Sequence, residues 1–275
     1  MAAVESVPYE ALPCEARALR RLFRDGRYGG TTAGLASGKA QANLVILPQE
    51  FAADFAIYCE RNTRPCPLLA VSGLGDPGFP TLAEDLDVRT DLPRYRVYRH
   101  GRLVAEPTDI RALWCDDLVS FALGCSYTFE RALIAAGISM RHAALGLRVP
   151  MFRTDIETLP AGPFRGPLVV SMRPMTERQA EQAARITAGF PQAHGAPIHI
   201  GDPAVLGIAR LSEPDFGDAV PVEEDEVPVF WACGVTPQLA LAAARPPLAI
   251  THSPGSMLIS DLDETAYRQG LGRRA

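Results

Sequence analysis

Proline and glycine set the scale of every element this chain can form. Its 24 prolines and 23 glycines fall mostly between short apolar runs, which are therefore held to single strands and modest helices. Residues 44–47 (LVIL) read as a buried strand, and residues 49–61 as a helix with Phe51, Phe55 and Tyr58 on one face. The run YRVYRHGRLVAEP predicts a hairpin turning at His100-Gly101. A helix is expected from about Ser6–Pro8 to Gly26, and another over much of 116–136 with Gly124 inside it or breaking it. In the second half, strand-like runs at 168–172, 197–200, 228–233 and 248–252 alternate with helix patterns. The clearest of those helices starts at a capping box, Thr176 to Gln179, and runs to about Phe190. Short strands alternating with helices predict a mixed α/β (α+β) fold.

Composition excludes several function classes. A net charge of -5 gives no basic face for phosphates, so no nucleic-acid partner is expected. No stretch of about 18 apolar residues is present to span a membrane. The N-terminal segment lacks the form of a signal peptide, so a cytoplasmic location is expected, and a homo-oligomer is compatible with it. Lys39 is the only lysine, so Schiff-base chemistry has one candidate at most. The six cysteines contain no CxxC pair, which removes zinc-knuckle and thioredoxin-like readings, and no disulfide framework is expected.

One segment invites comparison with a phosphate-binding loop. GLASGKA has Ala33 where that motif needs its first glycine and Ala40 where it needs a hydroxyl, so a Walker A reading is rejected. A loop that positions Gln41 and Asn43 is the better reading.

Four other segments end an apolar run in polar residues followed by Gly or Pro, where ligands commonly sit in α/β sheets. They offer Cys125, Ser126 and Glu130; Ser171 and Arg173; His194, His199 and Asp202; and His252, Ser253, Ser256 and Asp261. Cys125 is a candidate nucleophile, set against the commoner role of a small buried thiol. Cys233 precedes Gly234 and Thr236 in a turn into a helix whose N–H groups suit a carboxylate. His199 and His252 are candidate general bases, set against a structural role. A divalent metal on His194, His199, Asp202 and His252 stays open by residue type, but no tight ligand spacing supports it and no cofactor is expected. Arg89, Arg94 and Arg96 read as surface partners of Asp85, Asp87 and Asp91, whereas Arg153 and Arg173 follow strands and suit a carboxylate clamp. The acidic cluster Glu223–Glu226 reads as a solvated loop.

Ten ordered strings between about Gln41 and Asp261 carry a family resemblance. QANLVILP, RNTRPCPLL, RTDLPRYRVYR, DDLVSFALGCSYTFE, VPMFRT, LVVSMRPM, HGAPIHIGDP, PDFGD, VPVFWACGVTPQ and THSPGSMLISD resemble the successive blocks of the D-glutamate cyclase family, the YcsI-like hydro-lyases. Thr63, Ser253 and Ser256 stand where that family usually has Pro, Ala and His.

The resemblance implies one catalytic unit over 1–275. It implies two sub-lobes dividing near 140–200, with mixed sheets flanked by helices. It also implies a hydro-lyase acting on a small amino or hydroxy acid, such as D-glutamate closing to 5-oxo-D-proline. On that expectation Arg173 or Arg153 clamps the substrate carboxylate, and His199 or His252 acts as base with Asp202 orienting it. Ser126 and Asn43 line the site, and N–H groups near Gly124–Ser126 or Gly234–Thr236 hold the oxyanion. The alternatives are a Cys125-dependent acyl-transfer enzyme and a small-carboxylate-binding protein without turnover.

Overall fold

Two antiparallel sheets, with helices packed on and between them, make up the computed structural model, which describes residues 6–265. In chain order the helices are α1 (Ala16–Arg24), α2 (Gln49–Arg61), α3 (Tyr127–Ala135), α4 (Arg141–Ala144), α5 (Glu177–Ala188) and α6 (Thr236–Ala244). The strands are β1 (Lys39–Pro48), β2 (Leu68–Val71), β3 (Tyr95–Arg99), β4 (Arg102–Ala105), β5 (Leu118–Gly124) and β6 (Met151–Glu157). They continue with β7 (Pro167–Thr176), β8 (His199–Ile200), β9 (Glu226–Ala232), β10 (Ala249–His252) and β11 (Leu258–Asp263). The first sheet has the order β2-β5-β1-β10-β3-β4, with β11 also on β1; the second is β6-β7-β9-β8. No described helix is long and apolar enough to cross a membrane.

The fold is the expected mixed α/β one, but every ladder is antiparallel where mixed sheets were expected. The strand that follows α2, β2, does not lie beside β1. β5 lies between them, antiparallel to both, so β1 and β2 run parallel as a split βαβ unit but do not pair with each other. The strand-end rule for ligand sites belongs to parallel sheets and loses its force here. The chain leaves the first sheet after Gly124 and reaches the second at Met151. It crosses back between Ala232 and Ala249, a return that a linear reading does not foresee.

Two expected helices are corrected. Residues 118–124 form β5, not the first half of a helix over 116–136. All seven residues are buried and paired with β1 from Ala42↔Gly124 to Pro48↔Leu118. An apolar run shielded on both faces carries no alternation to mark it as a strand. The N-terminal helix begins at Ala16, because Pro13 cannot continue a helix begun near Ser6; only a single 3-10 turn forms at Tyr9–Ala11.

Alternate side chains of β1 fill two different cores, as a strand's period of two requires. Leu44 and Ile46 pack with Val88, Leu92 and Ile250 on one face. Val45 and Leu47 pack with Phe55 and Tyr58 of α2 and Leu241 of α6 on the other. In the second sheet, Val229 and Trp231 of β9 face Phe129 of α3 and Ala180 of α5, while Phe230 faces away onto Phe152 and Leu206.

Helix α3 joins the two sheets. Its Thr128 Oγ1 accepts the Gln41 N–H of β1 at 3.2 Å, and its Glu130 meets Arg173 of β7. The capping box forms as expected at the start of α5, with Thr176 and Gln179 each accepting the other's backbone N–H.

Candidate functional site

A cavity of about 610 Å³ opens where α3 lies between the sheets. One wall is the loop from Thr31 to Lys39 with Gln41 of β1; the other is formed by Tyr127, Glu130, Arg131 and Ile134 of α3 with residues from His142 to Arg148. The GLASGKA segment therefore lines this cavity, although it is no Walker A loop.

Behind the cavity lies a buried charge cluster. Arg173 donates through Nε (3.1 Å) and Nη2 to Glu130 Oε1, through Nη2 to Ser126 Oγ at 3.2 Å, and through Nη1 to Ser171 Oγ at 3.1 Å. The Phe129 and Trp231 rings lie on it, each 5.4 Å from the guanidinium carbon. Sequence alternation explains the placement, since Ser171, Arg173 and Met175 share the β7 face that meets α3 and α5.

Burial alone would push the Glu130 carboxyl up, but the Arg173 charge and the His142 ring bring it down to about 2, so it is a carboxylate. His142 Nε2 stands 3.6 Å from Glu130 Oε1. The residue is 3% exposed and lines the cavity, and its Nε2 is buried without a hydrogen-bond partner. Burial, and next the Glu130 charge, push the Tyr127 phenol well up, so it is a protonated donor at neutral pH. Three cations line the same space, each with a carboxylate: Arg131 with Glu264 (3.0 Å), Arg148 with Asp218 (3.0 Å) and Lys39 with Asp263 (2.9 Å).

The residues expected from sequence fall into three places. Arg173 and Ser126 belong to the charge cluster, but Arg173 already donates to three side chains and is not an open clamp.

Asn43, Cys125, Gly234 and Thr236 meet at the seam behind it. Asn43 Nδ2 donates to Gly124 O at 2.6 Å, and a Cβ on Gly234 would lie 2.4 Å from the Asn43 side chain. Thr236 Oγ1 accepts the Val169 N–H at 3.0 Å. The Gly124 and Thr236 N–H groups donate to Pro67 O and Cys233 O, which takes them out of the expected oxyanion set. Burial pushes the Cys125 thiol to about 12 and the Cys233 thiol to about 11, so both are thiols rather than thiolates.

The third place is away from the cavity. His199 pairs with Phe230 and stacks on its ring, which puts it on the face of the second sheet opposite Arg173. Its Nε2 lies 2.8 Å from Asp202 O, and the Asp202 side chain caps a 3-10 turn at the Ala204 N–H. His252 is buried in the first sheet and accepts the Leu44 N–H at 3.2 Å; burial pulls its imidazole down to about 4. His194 is likewise buried, beside Arg64 O at 2.7 Å, and also falls to about 4. Of the four residues of the open metal reading, His199 and Asp202 touch, but the four do not gather into one set. Among the described residues, no three His, Cys, Asp or Glu side chains cluster as metal ligands.

Arg153 is exposed, pairs with Asp215 and lies over the Phe216 ring. Ser256 is buried and donates to Gly30 O at 3.3 Å. Of the surface arginines, Arg89 does pair with Asp87, but Arg96 pairs with Glu106, and Asp85 and Asp91 are taken by α1. Glu226 of the acidic cluster is not simply solvated, since Arg141 takes both its oxygens.

Sequence reasoning missed His142, Tyr127, Arg131 and Arg148. His142 sits in RHAALG with no turn or strand end beside it, and only the fold brings it to Glu130.

The comparisons with known proteins follow the same lines. A sequence model described as D-glutamate cyclase matches residues 119–261, from β5 to β11. A "Putative hydro-lyase" of Jannaschia sp. is 60% identical over 92% of this chain and 95% of its own length. A protein of the same name in Verminephrobacter eiseniae is 58% identical over 92% of each chain. One from Bordetella petrii is 59% identical over 87% of this chain and 90% of its own. Among solved structures, a nitrogen repressor-like protein from Methanococcus jannaschii aligns over 87% of this chain and 96% of its own. Its TM-score of 0.35 at 10% identity carries no argument.

Proposed function

This chain belongs to the D-glutamate cyclase family of hydro-lyases, and from that premise we propose that it closes D-glutamate to 5-oxo-D-proline in the cavity beside α3. The observation that carries the reading is His142, a buried imidazole that lines the cavity and whose Nε2 faces the Glu130 carboxylate at 3.6 Å.

The reaction is balanced within the substrate. The amine nitrogen bonds to the γ-carboxyl carbon, one carboxyl oxygen departs, and the two protons lost by the ammonium leave with that oxygen as water. The site has only to carry protons from nitrogen to oxygen and to hold the tetrahedral oxyanion between. The His142 imidazole takes the proton from the ammonium and returns it to the departing oxygen. The imidazolium formed in between faces the Glu130 carboxylate, which Arg173 holds in place. Tyr127, protonated and on the same wall, donates to the oxyanion. Holding amine and carboxyl together in a closed space contributes an effective molarity worth ~7–11 kcal/mol in favourable cases.

The test is incubation of the purified chain with D- and L-glutamate, with chiral separation and mass detection of the dehydrated product. Formation of 5-oxo-D-proline that is lost in His142→Gln supports the reading. Binding of D-glutamate with no water lost would make the chain a carboxylate-binding protein and sink the enzymatic reading for this substrate.

A further inference from the structure

The rejected phosphate-loop lookalike keeps one physical property of such loops. Gly34, Ala36 and Gly38 have φ of +76°, +47° and +87°, alternating with Leu35 and Ser37, which do not. A backbone that alternates in this way brings successive N–H groups together into a concave anion-binding nest. Ala36 adopts this conformation without being glycine, one of four such residues among those described. The flanking N–H groups are used, Leu35 donating to Thr32 O (3.1 Å) and Lys39 to Ala36 O (2.9 Å). Those of Ala36, Ser37 and Gly38 donate to no described residue.

Two side chains extend the pattern. Arg131 Nη1 reaches Ser37 Oγ at 3.4 Å and comes within 2.9 Å of where a Gly38 Cβ would be, so a guanidinium stands beside the free amides. On the same wall as the loop, Gln41 Nε2 is tied to Thr32 O (2.9 Å) and Leu35 O (3.2 Å). That leaves its Oε1 buried, 4% exposed as a residue and without a partner, an acceptor beside the Glu130 carboxylate on the same lining. Free donors and acceptors therefore line one cavity, the donors on the loop amides and Arg131, the acceptors on Gln41 and Glu130.

We propose that the Gly34–Gly38 loop, with Arg131 beside it, is the anion-binding part of the cavity and holds a carboxylate of a small amino dicarboxylic acid whose ammonium faces Gln41 and Glu130. The assignment of that ligand rests on the cyclase reading above. The loop amides and Arg131 form charge-assisted bonds to a planar carboxylate, and the neighbouring Gln41 Oε1 and Glu130 carboxylate accept from the ammonium.

The probe is glutarate, which has both carboxylates but no amine to cyclise, titrated into the full ¹⁵N-labelled chain. The Ala36, Ser37 and Gly38 amide resonances are expected to shift and saturate together. Arg131→Gln is expected to weaken glutarate binding about tenfold, the loss of one charge-assisted bond. Gly38→Ala, which forces a side chain onto φ +87°, is expected to weaken it as well. Saturable binding that leaves residues 36–38 unmoved overturns the proposal, as does no binding at millimolar glutarate. Inorganic phosphate binding as tightly as glutarate overturns the carboxylate assignment. If Arg131→Gln does not fold once its tie to Glu264 is lost, the titration of the unaltered chain decides alone. Shifted loop amides without D-glutamate turnover would sink the reaction and spare the anion site; turnover with unmoved amides would do the reverse.

Discussion

His142 Nε2 and Glu130 Oε1 lie 3.6 Å apart on the wall of the cavity, one a ring nitrogen without a partner and the other a carboxylate held by Arg173. A positioned imidazole beside a fixed carboxylate can act without rearrangement of its surroundings. Replacing His142 by Gln is expected to lower kcat by ~10²–10⁴, the usual contribution of a positioned acid-base group. Steady-state kinetics on D-glutamate measures this. An unchanged kcat would remove His142 from the mechanism.

The Glu130–Arg173 pair is expected to report on stability more than on chemistry. Glu130→Gln leaves a guanidinium that is 2% exposed without its charge partner, a change that costs about 3–5 kcal/mol at a buried pair. Urea unfolding should show it. The double variant Glu130→Gln with Arg173→Met should recover part of the loss, since neither charge then remains buried. Equal stability of the single and double variants would show that the two side chains do not act as a pair.

The pH dependence of folding should follow His194 and His252. Both are buried and neutral, with folded-state values near 4 against 6.5 for the free side chain. The unfolded chain binds these protons first, so stability is full above pH 6.5 and falls as pH drops toward 4. The loss is of order 3 kcal/mol for each histidine. Glu130 has the same sign of linkage, caused by pairing rather than burial: its value of about 2 lies below the usual 4.5, so its contribution is lost as pH falls below about 4.5. His252→Asn should flatten the upper part of the profile measured by thermal unfolding, and an unaltered slope between pH 6.5 and 4 would contradict this assignment.

Alkylation separates the cavity chemistry from an acyl-enzyme route. Cys14 and Cys115 are exposed, whereas Cys125 is buried and its thiol is pushed up to about 12. Iodoacetamide at neutral pH is expected to label Cys14 and Cys115, to spare Cys125, and to leave turnover intact. Peptide mapping beside the activity assay checks both halves. Turnover lost in step with Cys125 labelling would favour the thiol as nucleophile.

Much of the local structure was legible in the chain. The capping box at Thr176, the turn at His100-Gly101 and the helix over 49–61 all rest on interactions within a few residues. What failed was non-local. Residues 118–124 are a strand because β1 and β2 flank them, and no periodicity survives in a run buried throughout. His199 reads as functional because its run, PIHI, is followed by Gly201 and Asp202, yet its partner Phe230 points away from the cluster that holds Arg173. The segments Cys125–Glu130 and Ser171–Arg173 were singled out for their polar residues, and they do meet. The cavity they back onto draws on residues from Tyr9 to Glu264, a grouping that no window of sequence contains.

The pairing of β1 has a consequence for the order of assembly. One side of that central strand is closed by β5, but the other waits for residues 249–263, which supply β10 and β11. During synthesis the second sheet is therefore complete before the first, and β1 presents an unpaired apolar edge across the intervening two hundred residues or so. Such a chain depends on rapid late capture of its C-terminal strands. A ribosome stalled near Ala244 would display the aggregation-prone form, with β5 in place and the opposite edge open.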